Sequence, residues 1–390
     1  MRADPISSKK QMPSDVVPRQ MLVLLLELLR SNKLSNEAIA GAWTACAICM
    51  QGRPGVGATA TELGVFNLAA AHLRGIPSPA EMVTLSRGKS QLCFSLLWAV
   101  QETTKSFHGL AERADLTACV ASGIFDMCTE VVSAVSSAGE GGLQDINHSV
   151  LGYALRIVMA CQAQPGCEAK IRSTAGALAF CLEHDLDCAK EIGATTGTYA
   201  ASICCAVFGR DENSEFTFTP QHIELLTESW SQNVSKVGWR VHSKPTADAI
   251  YAAQLCVSDR HKPLLTANPH FVPYLVDALL LNPDHPRADM KEELKVWCQQ
   301  HHCEALAQLA VHEESRQALL RNGSVAPALE MVVKMGLSDT TREIAAAALS
   351  ALNGKELEMS TDGQKHVMLS CALAVMQICK HGFHAYGTVG

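Results

Sequence analysis

The sequence predicts an all-α chain folded as an α-solenoid, and three observations predict it. Hydrophobic residues make up 48% and charged residues 18%, enough apolar material for an extensive core and too little net charge for a disordered chain. Only 5% of the residues are aromatic while alanine and leucine recur, a composition that suits helices packed closely on helices better than a sheet. A single pattern also returns roughly every fifty residues, the signature of a repeat array. It runs from a short helical segment through a breaker or small residue and a bulky apolar pair into a longer helix with apolar periodicity.

The pattern is clearest in Thr61-Glu62-Leu63-Gly64-Val65-Phe66-Asn67-Leu68 and in Val120-Ala121-Ser122-Gly123-Ile124-Phe125-Asp126-Met127. Gly64, Gly123, Ser173, Pro220, Pro269 and Gly323 are taken as equivalent corners. Glycine accepts positive φ there and proline cannot continue a helix. A third helix completes each unit, so residues 15–355 hold about six to seven units, after a disordered stretch over residues 1–14.

The last unit shows all three helices, over 316–321, 325–335 and 340–352. Ser338 or Asp339 supplies the N-cap oxygen of the third helix, and Asn353-Gly354 ends it with residues that tolerate the left-handed conformation. Ile344, Ala345, Ala348, Leu349 and Leu352 form one apolar stripe that a neighbour must bury. The run HCEALAQLAVHEESRQALLRNGSVAPALEMVVKMGLSDTTREIAAAALSALNG from His302 resembles an armadillo repeat with its preceding third helix. That likeness implies an armadillo-like helical-repeat superhelix, in which the segments 210–220 and 282–289 are insertions and Asp211, Glu212 and Glu215 stay in water.

After Gly354 the chain turns polar, then reads Lys365-His366-Val367-Met368-Leu369-Ser370, an apolar run that resembles the first strand of a Toll/interleukin-receptor (TIR) domain. Cys371 stands where that strand has an aromatic residue. The likeness implies an armadillo–TIR type protein whose TIR domain is truncated after its first strand, without the downstream glutamate by which some family members cleave NAD. A capping helix over Val367 to Cys379 is the alternative reading of this segment.

The formal charge of −7 lacks the basic excess that a phosphate backbone demands, so neither nucleic acid nor a membrane surface is an expected partner. Neither a signal peptide nor a membrane span is read at the N-terminus, and sixteen cysteines scattered along apolar stretches read as buried, reduced thiols. A cytoplasmic location is expected.

Catalysis is not expected, and neither a cofactor nor a metal is. Cys46 and Cys49 have redox-motif spacing but fall inside a helix, where nothing lowers the thiol pKa. Cys298 and His302 are an i, i+4 pair that could face one metal, yet no second pair completes a site; His381 and His384 form another such pair in the tail. The glycine-rich run Gly52 to Gly57 follows a helix and lacks the Lys-Ser/Thr of a phosphate loop, so it reads as a connection. Gly139 to Gly142 reads likewise.

Function is therefore expected at a surface. In a curved array the third helices line the concave face, so binding residues are sought on them. Trp98, Gln101 and Lys105 stand at helical spacing in one such helix, and Trp297, Gln300 and His301 in another. Both tryptophans also suit a role as packing anchors. A protein or peptide partner held along the groove is the leading expectation, with a regulatory array restraining a TIR effector as the alternative.

Overall fold

The computed structural model describes residues 15–354, apart from 32, 52, 76–77, 85–90, 107–115, 141–142, 144–145, 185–195, 236–243 and 283–291. The segments 1–14 and 355–390, including the strand expected over Lys365 to Ser370 and the pair His381 and His384, lie outside the described residues, as does nearly all of 282–289. All twenty elements among the described residues are helices.

The chain opens with α1 (Val16–Arg30) and α2 (Asn36–Met50). Around Gly64 lie α3 (Pro54–Glu62) and α4 (Val65–Leu73), followed by α5 (Pro79–Thr84) and α6 (Gln91–Ser106). Around Gly123 lie α7 (Thr117–Ala121) and α8 (Ile124–Glu140), then α9 (His148–Cys161). Next come α10 (Cys167–Arg172), α11 (Ala175–His184) and α12 (Thr196–Phe208), then α13 (Pro220–Ser235) and α14 (Lys244–Leu255). Two further units follow: α15 (Lys262–Ala267), α16 (Phe271–Asp277) and α17 (Glu292–Val311), then α18 (Glu313–Arg321), α19 (Val325–Met335) and α20 (Asp339–Leu352).

The fold is an all-α helical-repeat array. The third-position helices α2, α6, α9, α12, α14, α17 and α20 form a row in which each packs on the one before and the one after. Second-position helices make a parallel row, α4 to α8 to α11 to α13. One continuous core runs through the units, from Leu22 and Trp43 to Ala348 and Leu352, as expected of modules that cannot bury their apolar faces alone.

The corners have different chemistries. Gly64 and Gly123 are left-handed, with φ of 74° and 85°, a backbone that costs a side chain with a Cβ about 1 kcal/mol or more. Ser173 lies on ordinary helical backbone, and Gly323 is not among the left-handed residues. Asn268-Pro269-His270 links α15 to α16 as expected. Pro220 departs from the expectation: it is the first residue of α13, and the non-helical segment 209–219, with turns up to residue 213, stands where a short first helix would be. Gly55 and Gly57 are likewise helical, because α3 begins at Pro54, whose fixed φ suits a first turn.

In the last unit Ser338 is the cap: its side chain accepts from Thr341 N at 3.1 Å. Ile344, Ala345, Ala348 and Leu352 are buried, with Leu349 packed beside them. Gly354 closes the helix with φ of 70°. Every cysteine among the described residues is a buried free thiol. Burial, reinforced by Cys49, pushes the Cys46 thiol up to about 12, the opposite of what a redox nucleophile needs. No helix among the described residues is long and apolar enough to cross a membrane.

Candidate partner-binding surface

The third-helix row places the predicted residues on α6 and α17. On α6, Trp98 is half-buried and its indole Nε1–H donates to Glu102 Oε1 at 3.2 Å. Phe94 packs against Trp98 at 6.1 Å and edge-on to Tyr153 of α9 at 5.4 Å. Farther along the row, the Arg156 guanidinium of α9 sits over the Tyr199 ring of α12 at 5.5 Å, a cation–π contact that joins two units.

On α17, Trp297 is half-buried and meets His301 edge-on at 5.5 Å. His301 Nδ1 lies 2.6 Å from Glu304 Oε2, and Gln300 Nε2 donates to Glu304 Oε1 at 3.0 Å. Glu304 is only 3% exposed. Burial pushes its carboxyl up, but the His301 charge and hydrogen bond, the Gln300 bond and the Arg210 charge outweigh that and hold it below the ordinary glutamate value. Beside this cluster a cleft between α14 and α17 is lined by Arg210, Gln254, His301, Glu304 and Gln308, with the apolar side of α14 as its floor. Gln254 Oε1 has no hydrogen-bond partner among the described residues.

Burial divides the predicted residues. Trp98, Trp297 and Gln300 retain surface, whereas Gln101 is 1% exposed and His301 4%. These two are therefore corrected from contact residues to supports of the surface. A 3.6-residue period shows that Gln101 shares a face with Trp98; it does not show that α6 is packed on both flanks, by α2 and α9. The side chain of Lys105 lies outside the described ones.

Sequence reasoning missed Glu102, Glu304, Arg210 and Gln254. The two glutamates had a legible signal: each stands four residues after a polar-tipped residue on its helix, Trp98 or Gln300. Arg210 and Gln254 come from different segments and had none. The Cys298–His302 pair is resolved by packing. His302 Nδ1 donates to Cys298 O at 2.6 Å and its Nε2 lies 3.1 Å from Tyr274 OH, so the ring ties α17 to α16 within one unit. No group of three metal-ligating side chains occurs among the described residues.

Gln299 ties units together, donating to Leu279 O and accepting from Leu337 N, both at 2.8 Å. Neither the family models nor the curated proteins compared with this chain give a match.

Proposed function

We propose that the chain is a protein-interaction scaffold whose third-helix row binds a protein or peptide partner. The observation that carries this reading is the repeated arrangement of a half-buried tryptophan set by a polar partner one turn away, Trp98 with Glu102 and Trp297 with His301. Tryptophans held in this way lose little freedom on binding and serve as anchors. An armadillo–TIR kinship is part of the same proposal, supported by the three-helix unit over 313–352 and by the run Lys365 to Ser370.

The test is affinity capture with the intact chain, repeated with Trp98→Ala and Trp297→Ala after circular dichroism shows both folded. Recovery of specific partners is expected to fall about tenfold for at least one variant, the scale of a lost aromatic anchor. A partner set unchanged by both substitutions would remove the row from consideration.

A further inference from the structure

The segment 209–219 lies across α12, α13 and the start of α15 as a strap. Over 214–218 its side chains alternate: Ser214, Phe216 and Phe218 are buried, Glu215 and Thr217 exposed, the period of an extended chain on an apolar floor. Phe216 stacks between Phe208 at 5.0 Å and His222 at 6.0 Å, and Phe218 meets His261 edge-on at 5.0 Å. Gly209 is required where the strap departs, because a Cβ there would stand 2.4 Å from Cys205 O.

Each end of the strap is held by one buried histidine. His261, fully buried, bonds through Nδ1 to Gly209 O at 3.2 Å. A carbonyl only accepts, so Nδ1 carries the proton and Nε2 is bare, with no partner among the described residues. His222, 2% exposed, accepts Thr219 N–H on Nδ1 at 3.3 Å, while Thr219 Oγ1 accepts His222 N–H at 3.2 Å. This is a capping box with histidine in the place of glutamate or glutamine. The His222 clip exists only while Nδ1 is bare, whereas the His261 Nδ1–H bond to Gly209 O survives in the charged ring. A proton on His261 Nε2 would be a buried donor without an acceptor, and a proton on His222 Nδ1 would oppose the Thr219 N–H.

The charged groups facing these rings are few. Arg260 and Glu212 act on His261 with opposite signs, next to the Asp259–Lys262 ion pair at 2.5 Å. Glu183 of α11 faces His222 Nε2 at 3.6 Å, within ion-pair reach and beyond hydrogen-bond length. Burial pulls the proton affinity of both rings below the ordinary histidine value, with Glu183 opposing it at His222 and the Gly209 bond opposing it at His261.

We infer that the strap is an acid-released latch: proton uptake breaks the His222 clip and leaves His261 with a buried charge whose Nε2–H has no acceptor, which together free residues 209–219 and withdraw Arg210 from the cleft beside Glu304. The control of partner binding rests on the scaffold reading; the latch itself does not. The sign follows from linkage. The released strap binds protons that the closed strap excludes, so closure is complete above the ordinary histidine range and weakens as pH falls through it.

Hydrogen exchange on the chain without any partner tests this separately from partner binding. Protection of 209–219, after division by intrinsic rates, is expected to fall at least about tenfold between about pH 7.5 and 5.5, the scale of one histidine taking up its proton. The third helix 339–352 serves as the internal reference and is expected to change far less. In the double variant His222→Gln with His261→Gln, each amide can replace the original hydrogen bond without titrating, so strap protection is expected to stay level. A wild-type strap no more acid-sensitive than the reference overturns the latch, and so does a double variant that responds as the wild type does. Should the double variant not fold, ring NMR signals of the wild type decide: titration in step with strap protection supports the latch, and titration without loss of protection overturns it.

Discussion

The unit formed by α18, α19 and α20 and the unit that begins with the strap 209–219 occupy equivalent places in the array and are held in opposite ways. In the last unit the determinants lie close along the chain: Ser338 caps three residues ahead, and the α20 stripe repeats every three or four. In the strap unit they are distant. Arg172 meets Asp211 at 2.9 Å and donates to Val207 O at 3.0 Å, and its guanidinium covers the Phe208 ring. Glu212 accepts Asp259 N–H, and Arg260 donates to Ser214 O and to Thr217 Oγ1. A repeat array can therefore lose one of its helices where the flanking units supply aromatic packing and side-chain clips in its stead.

Three substitutions probe this contrast, and the largest effect is expected at Phe216. It is 4% exposed among Phe208, Phe218 and His222, so Phe216→Ala should cost about 3–5 kcal/mol. Hydrogen exchange should localise that loss to 209–235 and spare α18 to α20; a loss spread evenly over the chain would show that the units do not respond as neighbours. Ser338→Ala removes the cap of α20 and should cost about 1 kcal/mol, read as faster exchange over its first turn. If 209–219 loosens equally, the separation of the two units fails.

Asp211→Asn should have the smallest effect. Arg172 and Asp211 are each about one-third exposed, and solvent screening limits such a pair to at most about 1 kcal/mol. Denaturant unfolding should barely shift, and a shift as large as that for Phe216→Ala would mean that charge, and not aromatic packing, seats the strap.

Much of the regular fold was legible. Gly64 and Gly123 reported their left-handed corners, Pro269 reported a break, and the stripe from Ile344 to Leu352 reported a buried face. Pro220 misled because proline marks a helix start as readily as a corner. Glu212 is exposed as expected, although it accepts the Asp259 N–H, whereas Asp211 is only about one-third exposed, because a polar residue in an apparent insertion looks solvated until a neighbouring unit supplies Arg172. Glu215 does remain exposed.

The sequence by itself determined the helical class, the array and the row on which Trp98 and Trp297 stand, because these depend on interactions within about one turn of helix. Tertiary structure alone decided that Gln101 and His301 turn inward, that Arg210 and Gln254 meet beside Glu304, and that His261 holds Gly209 across 52 residues of chain. Periodicity reports which face a residue occupies. How neighbouring helices close on that face depends on the packing of several units at once, and no short window of sequence contains it.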